Sequence, residues 1–243
     1  MKRLFKWAIR LFLLALVLGI AAVVTAYLCR DTIFRKYMER SIRQQTGMAT
    51  SIGAFHAGLS DSNVEIEVKD IRIANPTNYG NTPFVVIPEI HLEVDRNALI
   101  KSNQIHLTLL RFNLGELDIV KNDQGQTNIF ALGVSIPNKE ALEKSDATET
   151  IKKQTGYDFT GIDMMDVSVG TFKYIDLKDP ANNRTQLVGM TNVPAPHIKT
   201  ATDLTGLGVL ILLRSDNFFE PLASQPGTDQ NLMKQLGFGT HFD

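Results

Sequence analysis

The chain has few of the residues from which disulfides and metal centres are built. Its one cysteine, Cys29, excludes an intrachain disulfide. Its five histidines are scattered, and none has metal-ligand spacing; they are His56, His91, His106, His197 and His241. The sequence therefore predicts neither a metal site nor a cofactor.

A large charge of either sign is also absent. Lys and Arg number 25 and Asp and Glu number 26, which gives a formal net charge of −1. A nearly neutral chain has no overall field to attract a polyanion. Nucleic acid is therefore not a predicted partner.

The common catalytic motifs are missing as well. The sequence contains no glycine-rich phosphate loop, no Gly-x-Ser-x-Gly elbow and no His-Glu-x-x-His. Carboxylates such as Glu65, Glu67, Glu89 and Glu93 alternate with apolar residues, which is typical of a solvated sheet surface. Although catalytic residues can assemble from distant positions, we predict that the chain is not an enzyme.

One long hydrophobic run is present near the start. It extends from Leu11 to Leu28, reads LFLLALVLGIAAVVTAYL, and follows four cations at Lys2, Arg3, Lys6 and Arg10. A membrane-spanning helix needs about 17 to 25 such residues. Residues 1–30 are therefore predicted to form an N-terminal transmembrane anchor.

Two other interpretations of this run are possible. A signal peptide could be cleaved after Ala26, and a lipoprotein could be modified at Cys29, although the bulky Leu28 precedes that cysteine. The length of the run favours an uncleaved anchor, as do Trp7 and Tyr27 at interfacial positions.

The distribution of cations gives an orientation for the anchor. Lys and Arg favour the cytoplasmic side, and cations flank the run on both sides, those after it being Arg30, Arg35, Lys36 and Arg40. The short basic start favours a cytoplasmic N-terminus. In a bacterium this orientation predicts a single-pass inner-membrane protein with its domain in the periplasm.

The segment from Asp31 to Gln45 has the pattern of an amphipathic helix. Apolar residues recur at helical spacing (Ile33, Phe34, Tyr37, Met38 and Ile42), and Gly47 is a suitable stop. The favoured interpretation is a lid on the following strands. The alternative is a helix on the membrane surface that directs its cations toward anionic headgroups.

From Thr50 the apolar period changes to two, which indicates strands. Val64, Ile66 and Val68 share one parity and Ile71 and Ile73 the other, so we expect a β-bulge near Lys69 and Asp70. Similar alternation in residues 84–94, 104–110 and 112–120 predicts an antiparallel meander.

The second half of the chain contains a break before strands resume. Residues 136–157 are charged and predict a solvated helix, at about 138–153, or a linker. Residues 158–220 continue the β domain. The apolar run Leu204–Leu213 is too short to span a membrane and is interpreted as a helix, and residues 221–243 as a loosely ordered tail.

Several motifs in this order resemble those of the AsmA-like proteins of bacterial envelopes. They are the span, the helix that ends near Thr46 and Gly47, the IRIANP of residues 71–76, Val94-Asp95, Asp123-Gln124-Gly125 and Thr127-Asn128-Ile129. The resemblance covers about residues 31–132, with a fainter echo at 170–176. A late-embryogenesis-type β-sandwich, which also carries a strand followed by Asn-Pro, is the competing fold.

The resemblance implies a fold that is mainly β with a few helices, in which a curved antiparallel sheet follows the transmembrane helix. Residues 31–135 would form a module related to the chorein-type N-terminal module of bridge-like lipid-transfer proteins. There acyl chains slide along the apolar floor of a groove. Floor residues would be Val64, Ile66, Val68, Ile71, Ile73, Ile90, Leu92, Val94, Ile105, Leu107 and Leu109, and headgroup contacts Arg35, Lys36 and Arg40.

The expected function is therefore an anchored envelope protein that holds or passes phospholipid acyl chains and has the membrane, phospholipid and other envelope proteins as partners. The alternative is a non-catalytic anchored scaffold or subunit whose β-sandwich is filled by its own side chains. The two differ in whether the apolar residues face a second layer of the chain or an open groove, because large exposed apolar patches are rare on soluble monomers.

Overall fold

The computed structural model describes residues 31–44, 46–80, 82–131, 152–153, 155–215 and 218. The predicted anchor (1–30), most of the predicted linker (136–157) and the predicted tail (221–243) lie outside these residues. Within the described part of the chain, no helix has the length and apolar character needed to cross a membrane.

The described strands form one six-stranded sheet in which the spatial order follows the chain. The strands are long, and the prediction of a mainly β fold is confirmed. They are β1 (Thr50–Leu59), β2 (Asn63–Ala74), β3 (Pro83–Asp95), β4 (Gln104–Lys121), β5 (Asp158–Asp176) and β6 (Arg184–Ile198).

The sheet is mixed, so the prediction of a wholly antiparallel sheet is wrong at one ladder. Strands β4 and β5 pair in parallel, from Gln104 opposite Asp158 to Lys121 opposite Asp176, whereas the other neighbours are antiparallel. A parallel pair needs a crossover of a dozen or more residues. Residues 122–157 are long enough to return the chain to the starting end of β4.

Helices lie at the ends of the strands and on one face of the sheet. They are α1 (31–44, with residue 46 also helical), α2 (Arg96–Ser102), α3 (Asn128–Ala131) and α4 (Thr205–Arg214). The helices predicted for Asp31 to Gln45 and for Leu204–Leu213 are confirmed in the described residues. Of the helix predicted at about 138–153, only residues 152–153 are described, and both are helical.

A line of close approach between neighbouring strands crosses the sheet, and we name it the crease. It passes through Gly53, Asp70, Pro88, Gly115 and Gly170 on β1 to β5. A Cβ on Gly170 would lie 2.3 Å from the carbonyl oxygen of Gly115, and one on Gly115 would lie 2.9 Å from Cγ of Pro88. The crease thus depends on glycine where β4 and β5 touch.

At the crease the inward-facing side chains of each strand change from odd-numbered to even-numbered positions, or the reverse. The apolar face of the sheet therefore stays the same on both sides of the crease. On β2, Val68 and Ile71 are both buried in one cluster. The predicted bulge near Lys69 and Asp70 is absent, because Lys69 pairs with Ala54 and Glu89 while Ile71 pairs with Ile52 and Ile87, in unchanged register. Asp70 instead has a φ of 53°, in the left-handed region. This one residue reverses the alternation, so that Ile71 points to the same face as Val68.

Two hydrophobic clusters lie on this apolar face. One contains Ile52, Val68 and Ile71, against which Met38 of α1 packs. The other is larger, lies on β4, β5 and β6, and is covered by α4; its buried members are Ile119, Val167, Val169, Phe172, Tyr174, Val188, Met190 and Phe218. Direct cross-strand partners point to the same side of a sheet. The row Val68, Ile90, Phe112 and Val167 therefore places both clusters on one face.

Candidate functional site

The apolar face between the two helices is the candidate site, and we name its central strip the floor. Three cross-strand rows form it: Val68, Ile90 and Phe112; Ile66, Leu92 and Leu110; and Val64, Val94 and Leu107. All are apolar, and β5 continues them with Val167, Met165 and Ile162. The floor is a continuous hydrocarbon surface.

Most residues predicted from the sequence to line a groove do lie on this face. Val68, Ile71 and Val94 are buried, and the others are half-buried, namely Val64, Ile66, Ile73, Ile90, Leu92, Ile105 and Leu107. Ile73 lies beyond the crease, beside Thr50 and Val85. Ile105 lies at the start of β4, two residues before Leu107 and opposite Phe159.

Leu109 lies on the other face. It pairs with Glu93 on β3 and with Met164 on β5, whereas its neighbour Leu110 pairs with Leu92 and Met165 on the floor. The pairing register shifts between Glu93 and Val94, which changes the parity of β4 after Leu107. Simple alternation from Leu107 therefore assigned Leu109 to the floor and missed Leu110 and Phe112. The adjacent pair Leu109-Leu110 is the sequence signal of this change.

Helix α1 covers the face over β1 and β2. The rings of Phe34 and Phe55 stack with centroids 5.6 Å apart. Met38 packs on the cluster of Ile52 and Val68. This confirms that α1 lies against the sheet as the lid interpretation requires.

Helix α4 covers the same face over β5 and β6. Leu207, Leu210 and Ile211 pack on the larger cluster. The ring of Phe218 lies 5.6 Å from that of Phe172. Strands β3 and β4 therefore lie between two helical walls, and in the described part of the chain every strand belongs to the same sheet.

The three predicted headgroup contacts differ in their surroundings. Arg35 is half-buried, and its Nη1 donates to the carbonyl oxygen of Gly53 at 2.7 Å. Lys36 and Arg40 are exposed and, with other α1 residues, line a recess of about 520 Å³. Arg43 belongs to the same recess, and the prediction omitted it.

The opposite face of the sheet is polar and carries paired charges. Nζ of Lys69 lies 2.8 Å from Oε1 of Glu67. Their hydrogen bond lowers the pKa of Glu67 and raises that of Lys69. Glu67, Glu89 and His91 offer oxygen and nitrogen atoms within 4.8 Å of one another, but Lys69 already balances this group. The arrangement is that of a solvated surface.

A buried polar cluster closes one end of the sheet. Nδ2 of Asn128 donates to Oδ1 of Asn75 at 2.7 Å and to the carbonyl oxygen of Asp118 at 2.8 Å. Oδ1 of Asn128 accepts from the backbone N–H of Val120 at 3.0 Å. The Asn-Pro motif after β2 and the Thr-Asn-Ile motif after β4 are thus joined. Their role here is to hold two loops together.

Asp118 is the one residue with a large pKa change in the described part of the chain. Burial, with the nearby Glu116 carboxylate, raises the pKa of Asp118 to about 7, and Lys173 opposes the change. Nζ of Lys173 lies 2.6 Å from Oε2 of Glu116. Because Asp118 is only 1% exposed, its carboxyl is closed to a substrate from solution.

Comparison of the chain with protein-family models, with curated proteins and with solved structures finds no significant match. The resemblance to AsmA-like proteins, the periplasmic location and the absence of catalysis therefore stay predictions.

Proposed function

We propose that the floor binds acyl chains of phospholipid, so that the protein holds or passes lipid as an anchored component of a bacterial envelope. One observation carries the proposal. The floor is a continuous apolar surface across β2 to β5, with α1 over one side and α4 over the other. The described chain has no second sheet that covers it.

The walls leave the centre of the floor outside both hydrophobic clusters. Of the described residues, Leu92, Leu107 and Leu110 belong to neither cluster, although they are flanked by both. They are half-buried, so further apolar contact would remove more of their surface from water. An acyl chain along this strip would gain about 0.8 kcal/mol for each methylene buried.

The floor would let an acyl chain slide along it rather than bind it in one fixed position. Its rows contain no charged residue, and the charges of β2 and β3 lie on the other face, as with Glu67, Lys69 and Glu89. A surface without hydrogen-bonding side chains does not fix one position along a hydrocarbon chain. The predicted anchor would keep this surface near a bilayer, the nearest source of such chains.

The sharpest test uses the adjacent residues Leu109 and Leu110. A photoactivatable side chain placed at position 110 should crosslink to co-purifying phospholipid, whereas the same group at position 109 should not. Their partners, Leu92 and Glu93, place the two positions on opposite faces. Equal crosslinking at both positions, or none at position 110, would contradict the proposal.

A second test removes the floor's apolar character. The double variant Ile90→Asp/Leu92→Asp should lose co-purifying phospholipid in native mass spectrometry while its membrane insertion is unchanged. The matched control, Leu109→Asp/Met164→Asp, carries the same change on the opposite face and should retain lipid. Lipid retained by the first variant would mean that the floor is not the binding surface.

The alternative of an anchored scaffold is supported by the outward side of α4. Val209 is 49% exposed and Leu213 is 72% exposed there, which suits contact with another protein. The same native mass spectra decide between the two, because a bound subunit in place of lipid would favour the scaffold.

A further inference from the structure

In the described part of the chain, helix α1 has a second face that does not pack on the sheet. Its inward side chains contact the sheet: Phe34 stacks on Phe55, Met38 joins the core, and Oε1 of Glu39 accepts from the backbone N–H of Ile52 at 2.8 Å. The remaining positions recur every three or four residues along the opposite side of the helix. We name this set the outer face; it contains Ile33, Lys36, Tyr37, Arg40 and Arg43.

The outer face combines exposed apolar groups with charge of one sign. Tyr37 is 69% exposed and Ile33 is 58% exposed, and Lys36, Arg40 and Arg43 are exposed as well. None of these three cations has an acidic partner in the described part of the chain.

The acidic residues of α1 are directed to the sheet. Asp31 lies 3.4 Å from Nδ1 of His56. Glu39 is held by the backbone N–H of Ile52, as described above. In the described part of the chain, the positive charge of the outer face therefore exceeds the negative charge of Glu39, the one carboxylate beside it. The same cations, with Glu39 and Gln44, line the open recess of about 520 Å³.

The predicted anchor would place this face next to a bilayer. The apolar run ends at Leu28, only three residues before Asp31. An interfacial helix typically buries apolar groups at the headgroup boundary and directs cations to anionic lipids. We propose that the outer face of α1 lies on the surface of an anionic membrane, with Ile33 and Tyr37 in the headgroup boundary and Lys36, Arg40 and Arg43 against lipid phosphates.

This proposal also accounts for the two interpretations of α1 drawn from its pattern, because one side serves as the lid and the other faces the membrane. It is independent of lipid binding on the floor, which lies on the sheet beside the inward side of the helix. Either proposal can fail alone, because lipid on the floor is tested by crosslinking at position 110 and membrane contact of α1 by fluorescence quenching at position 37.

The test uses the full chain with Cys29→Ser and Tyr37→Cys, labelled at position 37 with an environment-sensitive fluorophore. The protein is reconstituted into phosphatidylcholine vesicles with or without phosphatidylglycerol, and spin-labelled lipids in the bilayer serve as quenchers. Quenching should be strong with phosphatidylglycerol, weaker without it, and reduced by high salt, which shortens the range of charge attraction.

A matched pair of variants then separates local from overall charge. Lys36→Glu/Arg40→Glu/Arg43→Glu should reduce quenching to the level seen in phosphatidylcholine alone, because each basic residue near an anionic surface is worth about fivefold in binding. Lys101→Glu/Lys178→Glu/Lys199→Glu changes the net charge equally at exposed positions elsewhere and should leave quenching unchanged. Equal quenching in both lipids, or equal effects of both variants, would overturn the proposal.

Discussion

At the scale of single residues, two buried carboxyls of the same sheet are held in opposite states. Burial raises the pKa of Asp118 to about 7. Burial would also raise that of Asp176, but the backbone N–H groups of Asp179 and Lys178 and the Lys121 ammonium outweigh it, so the pKa of Asp176 is lowered. The difference lies in the donors, since Oδ1 of Asp118 has none in the described chain.

The raised pKa of Asp118 predicts how the free energy of unfolding depends on pH. The folded state keeps the Asp118 proton that the unfolded chain releases near its usual pKa of 3.8. Asp118 therefore contributes least to the free energy of unfolding above pH 7. Its contribution there is lower than at acid pH by at most about 4 kcal/mol. Asp118→Asn should flatten the decline in the free energy of unfolding between about pH 4 and 7.

Urea unfolding of the protein at several pH values would measure this effect. Asp176→Asn is the informative control, because its carboxylate stabilises the fold at neutral pH and that contribution is lost as pH falls. The control should weaken the protein at pH 7. Parallel curves for Asp118→Asn and the unmodified chain would contradict the assignment.

At the scale of elements, the crease explains how long strands keep one apolar face. The residues of β4 that pack on the larger cluster change from Leu114 to Leu117, and the buried residues of β5 change from Val169 to Phe172, on either side of Gly115 and Gly170. Without such a change, regular alternation would direct half of each strand to the wrong side. Five adjacent strands change parity along the same line, so the crease is a shared feature of β1 to β5.

The crease predicts that Gly170 cannot be replaced. Gly170→Ala would place a Cβ 2.3 Å from the Gly115 carbonyl oxygen, and separating the two backbones should cost about 3 kcal/mol or more. Gly206→Ala is the control, because a Cβ there meets nothing within 4 Å and alanine favours a helix by up to about 1 kcal/mol. Thermal unfolding of both variants would check the difference; a tolerated Gly170→Ala would disprove the close contact.

At the scale of the whole molecule, the parallel ladder between β4 and β5 distinguishes this sheet from a meander. In a background lacking Cys29, Gln104→Cys/Asp158→Cys should form a disulfide under mild oxidation, because these residues are ladder partners. Gln104→Cys/Asp176→Cys, which an antiparallel pairing would bring together, should not. The opposite result on a non-reducing gel would restore the antiparallel prediction.

Much of this architecture follows from local patterns, and the remainder depends on distant contacts. Period-two alternation and helical spacing are properties of neighbouring residues, so β2, β3, α1 and α4 could be predicted. The pairing of β4 with β5 depends on the path of residues 122–157, which leaves no periodic trace. The need for glycine at Gly115 and Gly170 likewise arises only once their strands are adjacent. The face on which Leu109 lies depends on a register shift between β3 and β4.

The two border strands of the described sheet, β1 and β6, have a consequence for association. At the first strand, Arg35 donates to the carbonyl oxygen of Gly53, and at the last, Nη1 of Arg214 donates to that of Gly189 at 3.2 Å. These oxygens are on the border strands, where another chain would otherwise hydrogen-bond, and Pro194 and Pro196 remove two further donors from β6. A second sheet would have to displace an arginine on either side before it could add. These two arginines and two prolines therefore oppose edge-to-edge aggregation of the described sheet.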